Sequence, residues 1–320
     1  MRTLFLAAVL LAQACTGRPP PDAHALVEEA AGKIERHAYY ADRVDWKQAL
    51  AQAKLQVHDP QAFDEAHSAI SGMLRQLRDG HSFLLRPDRT KAIFENKAVD
   101  DIAIDTRDLG DVFVVAVPTF VGTQAVREQE YSTRLHSAFE RNGNPPRCDW
   151  VVDLREDRGG YMFPMLAGLA PLIGTGDLGK FVDRSGREKP WPVRRIYVDA
   201  RMDISAFEAP DLRSARVAVI TGRNTMSSGE AVAIAFRGRA NTRSFGEPTA
   251  GKSTGNEGFE LGDGSMMLIT TVLMADRNGV RFGRPIEPDE SADARIGKGI
   301  EDDAALASAV RWLRAGCGGK

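Results

Sequence analysis

The chain of 320 residues carries 42 Lys+Arg against 44 Asp+Glu, a formal charge of −2, with 43% apolar and 27% charged residues. That length supports one large domain or two ordinary ones with a substantial core, and the composition excludes wholesale disorder. The near-neutral balance, without a basic run, argues against nucleic acid as a partner, and three scattered cysteines (Cys15, Cys148 and Cys317) exclude a zinc cluster or a disulfide framework.

The first residues predict export. Met1-Arg2 is a short basic start, Leu4 to Ala12 is an apolar run, and Ala12-Gln13-Ala14 precedes Cys15. About ten apolar residues fall short of the roughly 20 that span a bilayer, but they suit a secretory signal with an Ala-x-Ala cleavage site. Cys15, directly after that site, resembles the lipidated cysteine of a bacterial lipoprotein signal, although Ala12 stands where such signals usually carry Leu. Simple cleavage and lipidation of Cys15 are both open. Residues 1–14 are thus expected to be a signal peptide, and 15–23, with Arg18-Pro19-Pro20-Pro21-Asp22, an extended linker. The expected location is the periplasm or cell envelope.

Residues 24–94 read as a small helical N-terminal domain. Leu26, Val27, Ala30, Ala31 and Ile34 recur at helical spacing, as do apolar residues from Asp45 to Val57. A third helix is predicted to open at Asp59-Pro60, with Phe63, Ala66, Ile70, Met73, Leu74 and Leu77 on one face, and to stop at Arg78-Asp79-Gly80, where Gly80 offers a left-handed cap. Residues 95–320 read as an α/β core with a mixed or parallel sheet under helical cover. Strands are predicted at 111–117, 150–154 and 216–221, with helices near 123–141, 161–172 and 228–237.

Three junctions carry chemistry. Met226-Ser227-Ser228-Gly229-Glu230 puts a serine at a helix N-terminus, where unpaired N–H groups favour the charges of an attacking hydroxyl and an oxyanion. The same letters, Ser227-x-x-Glu230, also spell a plain capping box. Asp153-Leu154-Arg155 runs to Gly159-Gly160, whose glycines free the backbone for close approach to a substrate or simply turn the chain. Asp79-Gly80-His81-Ser82 perches a histidine between a glycine break and an apolar strand, suited to a general base. The other histidines (His24, His37, His58, His67 and His136) read as polar or helical surface positions. Two patterns are rejected: Gly246 to Ser253 spells a phosphate loop and Gly251 to Gly255 a nucleophile elbow, but each needs a following helix and the sequence there reads toward a strand.

Together, in this order and spacing, the helical segment, Asp79-Gly80-His81-Ser82, Asp153-Leu154-Arg155 with Gly159-Gly160, Met226 to Glu230 and Gly246 to Lys252 resemble the C-terminal processing (tail-specific) protease family of serine peptidases, across about residues 30 to 290. The resemblance implies a Clp-protease/crotonase-like mixed-sheet α/β core, Ser227 as nucleophile, and an oxyanion hole from Gly159 or Gly160 and the Ser228 amide. It offers two bases: Lys252, which lies 25 residues after Ser227 as in the tail-specific branch, or His81, as in the tricorn-core and nisin-resistance-protein branch. That second branch is preferred. Only about 20 residues separate Leu85 from Asp105, too few for the PDZ domain of the first. The turn from Gly159 to Leu169 also resembles the nisin-resistance form. Histidine, with an ordinary pKa near 6.5, needs less adjustment than lysine near 10.4, and it predicts a rate rising through about pH 6 to 7. Asp157-Arg158 departs from the Asn and Gly that relatives often carry. The expectation is an exported serine endopeptidase acting on peptides or unfolded protein tails, with Glu230 steadying the loop, no metal or cofactor implied, and a membrane contact only through a lipid on Cys15. The rivals are a non-catalytic peptide-binding lipoprotein, a Ser227–Lys252 dyad, and an esterase of the same fold.

Overall fold

The computed structural model describes residues 22–94, 102–122, 124–142, 149–174, 176–193 and 211–317. Cys15, Cys148 and the predicted signal peptide lie outside the described residues. Three helices come first: α1 (Ala23–His37), α2 (Trp46–Lys54) and α3 (Phe63–Gln76). Asp22, read as linker, instead caps α1 by accepting from Ala25 N at 2.7 Å, and Asp45 caps α2 from Gln48 N at 3.1 Å. The predicted start of α3 is corrected. Asp59 takes Gln61 N at 2.7 Å and closes a turn of its own, so the helix begins three residues beyond Pro60, at Phe63. Its end differs as well, because Arg78 takes the left-handed conformation (φ 53°) and Gly80 (φ 65°) turns the chain into His81.

After β1 (Phe83–Leu85) and α4 (Pro87–Phe94), the core alternates: β2 (Thr106–Asp108), β3 (Val112–Ala116), α5 (Ala125–Asn142), β4 (Asp149–Asp153), α6 (Met162–Gly168) and α7 (Ala170–Ile173). Then come β5 (Gly176–Asp183), β6 (Glu188–Val193), β7 (Arg216–Thr221), α8 (Ser228–Phe236), β8 (Thr242–Gly246), β9 (Thr254–Glu260), β10 (Met266–Asp276), β11 (Glu290–Ser291) and α9 (Ala304–Cys317). The single helix predicted over 161–172 is two pieces meeting at Leu169, with Pro171 in the first turn of the second.

These strands form two sheets. The larger runs β11-β8-β7-β4-β3-β2, parallel except for the β2–β3 pair. Its central strands β3, β4 and β7 are largely apolar because both faces are covered. Val112, Val114, Val151, Ala218 and Ile220 pack on α9, while Phe113, Val115, Trp150, Val152, Val217 and Val219 pack toward α5, α6 and α8. The smaller sheet is antiparallel, β1-β10-β5-β6, with β9 also on β10. Helices α1 to α3 share a core with Met267 and Ile269 of β10 and Leu261, so the helical region is seated directly on this sheet. Among the described residues no helix is long and apolar enough to cross a membrane.

Candidate active site

The predicted nucleophile turn leaves β7 at Thr221, and hydrogen bonds tie it to the neighbouring turn after β4. Thr225 Oγ1 donates to Leu154 O at 2.8 Å, and Met226 N donates to Asp157 O at 3.1 Å. Ser227 then adopts φ 53° and ψ −114°, a conformation that a non-glycine residue holds only when its surroundings over-determine it, at a cost on the order of 1–3 kcal/mol. Half-buried, it stands just before the first residue of α8.

Glu230 restrains that turn. Its carboxylate is fully buried, accepting from Ser227 N at 3.0 Å on one oxygen and from Gly251 N at 3.0 Å and Thr249 Oγ1 on the other. Burial raises its pKa to about 7 against the pull of these donors. One side chain thus ties Ser227 to the loop that carries Lys252. The predicted capping role is half the story; the bridge to the 249–251 segment was not legible from Ser-x-x-Glu.

The paired-glycine turn presses against Ser227. A Cβ on Gly159 (φ 97°) would lie 2.7 Å from Ser227 Cβ and 2.9 Å from Met226 O, and one on Gly160 (φ 111°) 1.8 Å from Phe120 O, so both positions require glycine. The Gly159 N–H is spent on Asp157 Oδ1 at 2.9 Å, whereas the exposed Gly160 has no acceptor for its N–H among the described residues. Ser228 N, at the first helical position, has no intrahelical acceptor either. The Ser228 hydroxyl donates to Gly160 O at 2.7 Å and clamps the two turns together.

Asp157, the departure noted above, is an anchor. It is fully buried, holds Gly159 N and Met226 N, and packs so tightly on α8 that a Cβ at Gly229 would meet its carbonyl oxygen at 2.5 Å. Desolvation pushes its carboxyl pKa well up. Arg155 is structural: buried, it pairs with Asp153 at 2.6 Å and with Asp303, before α9, at 2.9 Å.

His81 comes from the other sheet. Asp79 Oδ1 accepts from His81 N at 2.9 Å and Ser82 N at 2.8 Å, fixing the turn that delivers the ring just before β1. The side chain is 9% exposed, and its Nδ1 lies 2.7 Å from Thr254 Oγ1. Burial first, and the charge of Lys252 second, depress its pKa to about 4, with Asp79 opposing. Lys252, half-buried, reaches Met226 Sδ at 3.7 Å. The segment Thr249–Thr254 therefore touches Glu230 at one end and His81 at the other, and Ala250 N also donates to Thr225 O at 2.9 Å. It joins the two sheets at the site. Thr254, in the motif rejected as an elbow, was not read as a site residue.

Other expectations are corrected or sharpened. His67 and His136 are buried, at 6% and 4% exposure: His67 Nε2 lies 2.6 Å from Asp263 Oδ2, and burial lowers the His136 pKa to about 4. The residues after Gly246–Ser253 form β9 and no helix, as the rejection of both motifs required. Ser253 is buried, donating to Arg284 O at 3.0 Å and accepting from Gly283 N at 2.8 Å.

Known proteins resemble this chain in sequence and fold. Residues 111–292 match the profile of Peptidase family S41. Nisin-resistance protein of Lactococcus lactis subsp. lactis is 25% identical over 297 residues, 92% of this chain and 88% of the relative. A lipoprotein from Streptococcus agalactiae has the same fold at a TM-score of 0.75 and 22% identity, covering 94% of this chain and 99% of that one. The photosystem II D1 C-terminal processing protease follows at a TM-score of 0.62 and 15% identity, with 90% and 97% covered.

Proposed function

The chain belongs to Peptidase family S41 and is a serine peptidase, and from that premise we propose that it is an exported endopeptidase of peptides or unfolded protein tails, with Ser227 as nucleophile and His81 as base. The carrying observation is Ser227 at φ 53°, held by Glu230 and wedged against Gly159. Ser227 Oγ attacks the scissile carbonyl while its proton passes to His81 Nε2. The developing oxyanion accepts hydrogen bonds from Gly160 N and Ser228 N. As the C–N bond breaks, the same proton goes to the departing amine, and water repeats the sequence on the acyl-enzyme.

Lys252 is the rival base, favoured by its contact with Met226 beside the nucleophile. In the histidine reading its charge adds to burial in keeping the resting His81 neutral. Hydrolysis of a peptide library separates the two: His81→Ala inactive with Lys252→Ala active supports histidine, and the reverse moves the proton to lysine. A non-catalytic peptide-binding role would leave every peptide intact.

Export and lipidation of Cys15 complete the reading, supported by the apolar leader and by the lipoprotein of the same fold. The lipid would be the membrane contact, and the location the cell envelope. Mass spectrometry of the exported protein tests this: a diacylated N-terminal Cys15 is the expected result, and an unmodified N-terminus removes the lipid while leaving export.

A further inference from the structure

His81 stands in a closed circuit of hydrogen bonds. Its Nδ1 lies 2.7 Å from Thr254 Oγ1, which lies 3.5 Å from Thr270 Oγ1. Thr270 Oγ1 pairs with Asn256 Oδ1 at 2.9 Å, and Asn256 Nδ2 returns to the His81 carbonyl oxygen at 2.8 Å. Thr254 and Thr270 are 2% and 0% exposed, so bulk water does not compete for these groups.

The member that can only accept sets the direction of the whole circuit. The His81 carbonyl oxygen cannot donate, so Asn256 presents its NH₂ there and its Oδ1 to Thr270. Thr270 spends its one proton on Asn256, so across the longer 3.5 Å separation from Thr254 it can only accept. With the Thr254 proton turned toward Thr270, its Oγ1 accepts from His81 Nδ1–H. The imidazole lone pair is left on Nε2.

We propose that Thr254 is a positioning residue, which with Thr270 and Asn256 fixes His81 in the tautomer whose Nε2 takes the Ser227 proton. The inference rests on the Ser227–His81 reading. During acylation the Nδ1 proton stays on its bond to Thr254. The travelling proton moves from Ser227 Oγ to Nε2 as the O–C bond forms, and from Nε2 to the amine nitrogen as the C–N bond breaks. A hydroxyl orients the ring as a carboxylate would, but adds no negative charge to hold an imidazolium. The charged groups coupled to the ring are Lys252 and Asp79.

The test is ¹⁵N NMR of the histidine rings in the full chain, with His81→Gln identifying the His81 signals, alongside kinetics on one cleaved peptide. Wild type should show Nδ1 protonated and Nε2 bare between pH 6 and 8. Thr254→Val, which keeps the side-chain shape, should populate the opposite tautomer and lower kcat about 10- to 100-fold with KM little changed. Thr254→Ser should restore both. Wild type with Nε2 protonated overturns the proposal, even if Thr254→Val fails to fold. So does a folded Thr254→Val with unchanged tautomer and kcat. Full activity in His81→Gln overturns the base reading and this proposal together, whereas an inactive His81→Gln beside an unaffected Thr254→Val overturns this proposal alone.

Discussion

The two sheets contribute to the site in different ways. The parallel sheet supplies Ser227 and the Gly159-Gly160 turn, held mainly by backbone: a positive φ at Ser227, glycines at van der Waals limits, and amides on the carbonyl or carboxylate of Asp157. The antiparallel sheet supplies His81, held mainly by side chains: Asp79, Thr254, Asn256 and Thr270. Backbone-held groups tolerate almost no change of shape, whereas side-chain-held groups answer to changes of chemistry. The half that carries Ser227 should therefore break on an added methyl, and the half that carries His81 on a lost hydrogen bond or an altered charge.

The largest effect is expected at the proposed nucleophile. Ser227→Ala should lower kcat by about 10⁴-fold or more, read by hydrolysis of a cleaved peptide, while circular dichroism stays native. Next, His81→Ala should cost about 10²–10⁴-fold, and Lys252→Ala much less, mainly in KM. Gly160→Ala and Gly80→Ala then set the halves against each other. At Gly160 the added Cβ meets Phe120 O, and kcat should fall about 10²–10³-fold as the donor turns away. Gly80, although also at positive φ, has nothing within 4 Å, so Gly80→Ala should cost on the order of 1 kcal/mol of stability and little activity. Equal losses at the two glycines would erase the contrast.

The pH dependence sharpens it further. The sequence alone suggested an acid limb at about pH 6 to 7, but burial and Lys252 hold His81 down to about 4. A base must be unprotonated, so the His81 limb of kcat/KM should rise through about pH 4, and any further change near pH 7 belongs to Glu230, whose carboxylate holds Ser227 N. Lys252→Ala removes a cation beside the ring and should move that limb upward. The smallest effect is on stability. His136 also titrates at about 4 when folded, below its ordinary value near 6.5, so its contribution is complete above pH 6.5 and lost as pH falls toward 4. Replacing it with Gln should flatten the loss of thermal midpoint over that range.

The same contrast explains what could be read from the sequence. The central strands of the parallel sheet are largely apolar, with Val112 to Ala116 and Val217 to Ile220 unbroken, and the proposed chemistry lies in short local motifs ending in Gly160 and Glu230. Both were legible. The antiparallel sheet has short or half-exposed strands: β9 reads Thr-Gly-Asn-Glu-Gly-Phe-Glu, and β1 has three residues. Neither carries a hydrophobic period. His81 could be found from its glycine break, but its partners Thr254 and Thr270 lie 173 and 189 residues away and are ordinary threonines in the sequence. Likewise Asp157 looked like a deviation, because only packing against Gly229 reveals its place. The burial of His136 and His67 was missed for different reasons: His136 shares the inner face of α5 with Glu128 and Ser132, whereas His67 lies among the apolar residues of α3 and is paired with Asp263, 196 residues away.

The most direct test of the account is the site of covalent labelling by a fluorophosphonate, which reacts only with a serine whose hydroxyl is activated beside oxyanion donors. Peptide mapping of the labelled protein should place one adduct on Ser227, with labelling lost in Ser227→Ala and strongly slowed in His81→Ala. Absence of label in the folded wild type, or an adduct on Ser228 or Ser253 that persists in Ser227→Ala, would contradict it.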